Sequence, residues 1–165
     1  MNKKFQIGRI LIPFDFSETA ELALEHAVFM AKLHKAEIIL LHVIESFSFA
    51  SAISSAFGKS QSEFESKIKS SAGEKLKELA DKLHHDSGMQ VTPRVENGKI
   101  YKKIIHVAED SKCDIIVMGT HGSSGFQEFV VGSNTYKVVM NSPCPVISVQ
   151  AHAKKVGFKN IKTKS

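Results

Sequence analysis

Residues 114–135 have the sequence Asp114-Ile-Ile-Val-Met-Gly-Thr-His-Gly-Ser-Ser-Gly-Phe-Gln-Glu-Phe-Val-Val-Gly-Ser-Asn-Thr135. This stretch is the strongest indication of the fold and of a binding site in the chain. Its apolar run Ile115–Met118 predicts a buried strand, and the run ends at a glycine. A loop of small residues follows, with glycines at every third position: Gly119, Gly122 and Gly125. Gly132 and Ser133 then open a predicted helix.

Small residues between a strand and a helix start are suited to binding a phosphate group. Glycine lets the backbone approach a ligand closely, and the N–H groups and dipole of a helix start favour an anion. The pattern is not a P-loop, because no lysine follows the second glycine at the required spacing, and no Rossmann fingerprint follows the first strand. Two interpretations remain open: a nucleotide-phosphate site and an ordinary surface loop.

The composition is typical of a single globular domain. The chain has 165 residues, of which 42% are hydrophobic and 24% charged. No apolar run is long enough to span a membrane, and no apolar segment follows the basic N-terminus, so we expect neither a membrane span nor a signal peptide. Cys113 and Cys144 lie beside apolar strands without metal spacing. They are expected to be buried free thiols in a reducing cytoplasm.

The net charge of +5 originates in the C-terminal residues. Residues 151–165 contain five lysines and no acidic residue, and subtracting these five from the 22 lysines and arginines leaves 17, equal to the 17 acidic residues. We therefore divide the chain into a domain at 1–150 and a basic tail at 151–165. A charge confined to a tail makes a nucleic-acid partner an unfavoured interpretation, because such partners require basic and aromatic residues clustered on one surface.

Apolar periodicity predicts strands and helices in alternation. The predicted strands span 7–14, 37–44, 90–95, 114–118 and 146–149, and the helices 18–35, 61–85, 100–111 and 133–140. Consecutive apolar residues in the strands indicate a parallel sheet covered on both faces, hence an α/β, Rossmann-like three-layer sandwich. Pro93 cannot donate a ladder hydrogen bond, which favours a sheet edge for the third strand. Residues 46–61 have no clear period and are expected to form a loop.

In such sheets ligands bind at the carboxyl ends of the strands, where the strand order reverses. If the first and fourth strands are neighbours, this edge carries Asp15 after the first strand and the glycine loop after the fourth. The glycines would hold phosphates. Asp15 would accept hydrogen bonds from a ribose hydroxyl or an adenine amine, or hold Mg²⁺ through water. The alternative role of Asp15 is to cap the following helix.

These residues resemble the universal stress protein family, in its ATP-binding branch. The shared motif is Gly-x2-Gly-x9-Gly-Ser/Thr, here Gly119, Gly122, Gly132 and Ser133. The opening Ile-Leu-Ile-Pro-Phe-Asp-Phe-Ser and the final Cys-Pro-Val-Ile-Ser-Val are also similar, so the resemblance covers residues 7–150. It implies an adenine nucleotide α-hydrolase-like sheet with strand order 3-2-1-4-5, and a homodimer formed along the last strand.

By position, the resemblance implies contacts to each part of ATP. The adenosine pocket would be lined by Pro13, Asp15 and the backbone of Val43. The ribose would be bordered by Met118 and Gly119. The phosphates would be held by Gly122, Gly132, Ser133, Asn134 and Thr135. His121 stands where ATP-binding members often carry arginine, so it is either a weaker, pH-dependent phosphate contact or an exposed loop histidine.

The predicted function is an ATP-binding regulatory protein of the stress response, with at most slow hydrolysis. No Lys or Arg lies between Gly119 and Tyr136, whereas phosphoryl transfer usually requires cations on the transferring group. We therefore assign no catalytic residue and no metal ligand other than Asp15 through water. Two alternatives remain open: a genuine ATPase, and a dimeric interaction module that binds no nucleotide.

Overall fold

The predicted strands form one parallel sheet in the computed structural model, which describes residues 6–45, 61–120 and 131–151. The strands are β1 (Arg9–Pro13), β2 (Glu37–Ile44), β3 (Val91–Asn97), β4 (Ile115–Gly119) and β5 (Val146–Val149). Their order is β3-β2-β1-β4-β5, and every neighbouring pair is parallel. The α/β fold and the order 3-2-1-4-5 are therefore confirmed. The basic tail proposed from the sequence lies outside the described residues, apart from its first position.

The helices of the described ranges cover both faces of the sheet. They are α1 (Glu18–His34), α2 (Gln61–Ser87), α3 (Ile100–Asp110) and α4 (Ser133–Asn141). Helices α1 and α2 share one apolar cluster with the sheet, and α3 and α4 share the other. This is the three-layer arrangement that the alternating pattern predicts. None of these helices combines the length and apolar character that a membrane crossing requires.

Helix α1 begins just after β1 ends, at the carboxyl edge of the sheet. The Ser17 side chain accepts a hydrogen bond from the Ala20 N–H, and Glu18 and Glu21 in the first turn suit the helix dipole. Its buried stripe consists mainly of alanines: Ala20, Ala23, Ala27 and Ala31. Small side chains let the helix axis lie close to the sheet, so the first turn of α1 is held near the ends of the strands.

Helix α2 corrects one expectation from the sequence. The helical spacing of Ile68, Leu76, Ala80 and Leu83 predicts that all four are buried. Ile68 is instead 39% exposed, whereas the other three are buried. The helix has 27 residues and β2 has eight, which correspond to about 40 Å and about 26 Å. The first turns of α2 therefore extend beyond the sheet, where they have no sheet surface to cover. The predicted loop at 46–60 and the side chain of Phe64 lie outside the described residues.

Strand β3 lies at the edge of the sheet, as Pro93 predicts, opposite Leu40 of β2. Charged side chains protect this edge. The Arg94 guanidinium donates to Glu96 at 2.8 Å and lowers the pKa of that carboxyl group. Lys103 of α3 reaches the same carboxylate at 3.3 Å. Paired charges and a proline on an edge strand discourage pairing with another chain.

At the amino end of the sheet, the Asp114 carboxylate joins the segment before β4 to the start of β1. Asp114 Oδ2 accepts hydrogen bonds from the Gly8 N–H at 2.8 Å and the Arg9 N–H at 2.9 Å. Cys113, next to this carboxylate, is a buried free thiol, whereas Cys144 is only partly buried. The expectation of two buried thiols is therefore correct for Cys113 and wrong for Cys144, which lies just before the edge strand β5 and is covered on fewer sides.

We expect the stability of the protein to fall between about pH 9 and pH 12. Burial, reinforced by the neighbouring Cys144 thiol, raises the pKa of Cys113 from 9.0 to about 12. The neutral thiol is favoured in the fold, so its stabilisation is complete below the unfolded pKa and is lost as pH rises toward the folded pKa. Urea unfolding at several pH values should show a slope of roughly 1 kcal/mol per pH unit that Cys113→Ala reduces. Identical slopes for the two proteins would contradict this assignment.

Candidate functional site

Strands β1 and β4 are neighbours, and they separate before they end. Their register pairs only Ile10 with Ile115 and Leu11 with Ile116, although β1 continues to Pro13 and β4 to Gly119. The chain leaves β1 for a helix on one face of the sheet and leaves β4 for a helix on the other face. The strand order therefore reverses at this point, and the carboxyl ends of β1 and β4 border the expected ligand position.

Asp15 organises the turn between β1 and α1. Its Oδ1 accepts hydrogen bonds from the Ser17 N–H at 3.1 Å and from the Ser17 hydroxyl at 2.5 Å. The Ser17 oxygen in turn accepts the Ala20 N–H at 3.2 Å. The helix cap is thus Ser17, and Asp15 orients the cap. The half-buried carboxylate is consequently held at the carboxyl edge by the start of α1.

Gly119, at the end of β4, packs directly against the first turn of α1. A Cβ added there would lie 2.8 Å from Thr19 Oγ1 and 3.0 Å from the Thr19 carbonyl carbon. These distances are too short for any side chain, so a glycine is required for the close approach. Thr19 is 8% exposed and was not among the residues identified from the sequence. This contact brings the Asp15 turn and the end of β4 together.

The start of α4 is anchored to the end of β4. The Thr135 hydroxyl lies 3.1 Å from the Gly119 carbonyl oxygen and 3.3 Å from that of Thr120. The Gly132 N–H donates to the Thr120 carbonyl at 2.9 Å, and the Thr120 N–H donates to Val149 of β5. Thr135 is 4% exposed. Its hydroxyl hydrogen is directed at backbone carbonyls, so a direct phosphate contact by this hydroxyl stays a prediction.

The first turn of α4 lacks the side chains that usually complete a helix start. Gly132 is the N-cap, with no side-chain cap hydrogen bond and no acidic residue in the first turn. The first N–H groups of a helix have no partner within the helix. Ser133 is exposed and Asn134 half-buried at this position. The arrangement can therefore accept an anion, because N–H groups and the helix dipole favour negative charge.

The remaining described residues of the predicted site lie along the same edge of the sheet. Pro13 and Val43 are half-buried at the ends of β1 and β2. Met118 is 6% exposed and packs in the cluster under α3 and α4. His121 and Gly122 lie outside the described residues. The structure thus brings together the groups predicted for adenosine and the helix start predicted for phosphate.

Asp15 carries the only full charge among the predicted site residues that are described. Within the described ranges no group of three or more His, Cys, Asp or Glu side chains could hold a metal ion. Magnesium commonly binds proteins through one carboxylate together with substrate phosphates and waters. Asp15 would supply the one carboxylate, so a magnesium ion here would also need phosphates from a ligand.

The sheet order, the separating strands and the anchored helix start define a doubly wound α/β protein whose strand order reverses between β1 and β4. A profile of the universal stress protein family matches residues 6–150. The chain belongs to the universal stress protein family, as its resemblance in sequence predicts.

Individual relatives agree with this assignment. The universal stress protein MJ0577 of Methanocaldococcus jannaschii is 36% identical over 153 residues, which cover 86% of this chain and 94% of the relative. YxiE of Bacillus subtilis is 29% identical over 146 residues, with 87% and 99% covered. The solved structure of MJ0577 superimposes with a TM-score of 0.77 at 34% identity, covering 90% of this chain and 99% of that one. The fold therefore agrees with an experimental structure of a relative.

We expect Gly119→Ala to destabilise the protein by about 1–3 kcal/mol, because the new methyl group must displace the first turn of α1. The matched control is Gly73→Ala in α2, where an added Cβ meets nothing within 4 Å. That change should instead stabilise the protein by about 0.5–1 kcal/mol. Urea denaturation measures both. If the two variants shift the midpoint in the same direction, the close packing of Gly119 on Thr19 is not as described.

Proposed function

We propose that this protein binds ATP, or a related adenine nucleotide, at the carboxyl edge between β1 and β4, as a regulatory protein of the stress response. The single observation that carries the proposal is the packing of Gly119 against Thr19. It sets the Asp15 turn beside the end of β4, to which the start of α4 is hydrogen-bonded. A carboxylate for a sugar and a helix start for phosphates thereby lie on one edge.

The adenosine part of the ligand would lie on the β1 and β2 side. An ionised carboxylate only accepts hydrogen bonds, so Asp15 suits the hydroxyl groups of a ribose. Ser17 holds one carboxylate oxygen in place, which limits the reorganisation needed on binding. Pro13 and the Val43 backbone would border the base, and Met118 and Gly119 would border the ribose.

The phosphates would lie on the β4 and α4 side. The N–H groups of the first turn of α4 are suited to phosphate oxygens, and no acidic side chain in that turn opposes them. The bonds from Thr135 and Gly132 to the end of β4 hold the helix start in position. Gly122 and His121, from the loop outside the described residues, would add contacts to the phosphate chain.

Two solved structures of the same fold support an adenine nucleotide as the ligand class. One is a universal stress protein in complex with cAMP, with a TM-score of 0.61 and 18% identity to this chain. The other is the universal stress protein from Archaeoglobus fulgidus in complex with dAMP, with a TM-score of 0.59 and 18% identity. At these identities the likeness concerns the fold alone. It supports the proposal because the fold accommodates adenine nucleotides in those proteins.

The residues of the proposed site favour nucleotide binding with at most slow hydrolysis. The sequence from Gly119 to Tyr136 contains no lysine or arginine to stabilise charge on a transferring phosphoryl group. Asp15 would hold Mg²⁺ through water once the nucleotide supplies phosphate oxygens, and the metal would neutralise part of their charge. We infer that a bound nucleotide acts as a signal. The two free cysteines suit a reducing cytoplasm.

We expect the purified protein to bind ATP and Asp15→Asn to weaken binding by about tenfold, because an amide oxygen accepts a ribose hydrogen bond less strongly than a carboxylate does. The asparagine retains an oxygen for Ser17, so the turn should persist. Asp81→Asn, on the exposed side of α2, is the matched control and should bind as the wild type does. Isothermal titration calorimetry gives the dissociation constants.

The same preparations distinguish the alternatives. Absence of binding by the wild type at millimolar ATP, ADP and AMP would overturn the proposal and favour a nucleotide-free interaction module. Steady phosphate release that Asp15→Asn abolishes would favour a genuine ATPase. A mass spectrum of any ligand released by denaturing the protein identifies the nucleotide that it carries from the cell.

We further propose a homodimer formed through β5. Among the described strands, β5 has β4 as its single neighbour in the sheet, so its outer N–H and carbonyl groups can pair with a second copy. Apolar side chains are exposed beside it, on β5 and on α4: Ile147, Tyr136, Val139 and Met140. The fold leaves this edge apolar, in contrast to the charged β3 edge, which favours self-association at β5.

Ile147→Lys should convert the proposed dimer into a monomer, because two buried lysines would face each other or lose their hydration at the interface. Ile147 is 37% exposed, and the matched control Ile68→Lys replaces an isoleucine that is 39% exposed on α2. The control should remain dimeric. Size-exclusion chromatography with light scattering measures the molar mass. A monomeric wild type, or dimers of both variants, would rule out the β5 interface.

A further inference from the structure

Alternate residues of β2 direct their backbone groups toward β1. The Glu37 N–H donates to the Gly8 carbonyl at 2.9 Å, and the Leu41 carbonyl accepts the Phe14 N–H at 2.7 Å. The intervening Ile38 N–H donates instead to Gln90, on the β3 side. Val43 continues the series of residues that face β1. Its N–H and carbonyl therefore point past the end of β1, toward the ligand edge.

A histidine ends the ladder between β1 and β2. In a continued parallel ladder the Phe14 carbonyl would accept the Val43 N–H. It accepts instead from His42 Nδ1 at 2.7 Å, and the backbone register stops at Pro13 and Leu41. Because a carbonyl can only accept, Nδ1 carries the hydrogen. Among the described residues, no backbone group takes the place of Phe14 as a partner for Val43.

An aromatic contact fixes the imidazole in this position. The ring of Phe16 lies 5.1 Å from that of His42 and 5.2 Å, edge-on, from that of Phe14. Phe16 holds this place with φ of 63°, a left-handed conformation that bulky residues rarely adopt. Unusual backbone conformations persist where the surrounding structure requires them, often at functional sites. Here the conformation places a ring against His42.

We propose that His42 is a positioning residue that separates β1 from β2, so that the N–H and carbonyl of Val43 are presented to a nucleobase. The inference rests on the proposed function. The N–H and carbonyl of one extended residue lie on the same side of the strand. This donor and acceptor match adenine, whose N1 accepts and whose 6-amino group donates. Guanine presents the opposite pattern at these two positions. His42 therefore sets the preference for adenine over guanine without touching the base.

The test compares two replacements of His42 with three ligands: ATP, GTP and inorganic tripolyphosphate. His42→Leu has no donor for Phe14 and should weaken ATP binding by about tenfold, with GTP and tripolyphosphate changed by less than about twofold. His42→Asn places an amide N–H near the position of Nδ1 and should restore most of the ATP affinity. Equal losses for all three ligands, or an unchanged ratio of ATP to GTP affinity, would overturn the proposal.

A second pair of variants separates the aromatic contact from backbone strain. Phe16→Gly and Lys35→Gly both relieve a left-handed residue, because Lys35 has φ of 57° at the other end of α1. Only Phe16→Gly removes the ring that holds His42. It should reduce the ATP to GTP preference, whereas Lys35→Gly should leave the preference intact. Equal preferences in the two variants would show that the ring does not position His42.

Hydrogen exchange without any nucleotide tests the same inference independently. The Val43 amide should exchange much faster than the Leu41 amide in the wild type, since only Leu41 lies within the β1 ladder. In His42→Leu the ladder can extend, so the Val43 amide should become protected. A Val43 amide as protected as Leu41 in the wild type would overturn the role of His42. If the wild type binds no nucleotide, the proposed function fails, and this exchange result still decides whether His42 separates the strands.

Discussion

The close approach of Gly119 to Thr19 is the constraint on which the rest of the site depends. It sets the end of β4 in van der Waals contact with the first turn of α1. The two segments are about one hundred residues apart in the sequence, and each carries one half of the predicted site. A bulkier residue at either position would move the carboxylate turn away from the helix start. The absence of a side chain at Gly119 thus sets how closely the two halves of the predicted site approach each other.

Hydroxyl groups support both halves of the site. Ser17 holds the Asp15 carboxylate and caps α1, and its oxygen lies 3.2 Å from that of Thr19. Thr135 fastens the start of α4 to the carbonyl groups at the end of β4. Groups that contact ligand are most effective when such neighbours fix their orientation in advance. These hydrogen bonds and contacts also explain why the short polar residues Thr19 and Thr135 occur at buried positions.

The fold was predictable from the sequence because local patterns encode it. Continuous apolar runs predicted the strands, and Pro93 predicted that β3 lies at an edge of the sheet. The error at Ile68 arose because helical periodicity does not reveal where the sheet beneath a helix ends. The glycine motif also identified Gly119 and Thr135, and the position after the first strand identified Asp15. The structure brings these residues to one edge of the sheet. Thr19, Thr120 and His42 were missed, since their roles depend on contacts between distant segments and belong to no short pattern. His121 and Gly122 stay predictions.

The start of α4, whose N-cap Gly132 makes no side-chain cap hydrogen bond, would link folding to occupancy of the proposed site. Gly132 offers no side chain to the first N–H groups of this helix, so an anion bound there would serve as the missing cap. A ligand that binds only the folded state raises its stability in proportion to the logarithm of the ligand concentration. The lifetime of the protein in the cell would then follow the abundance of its ligand.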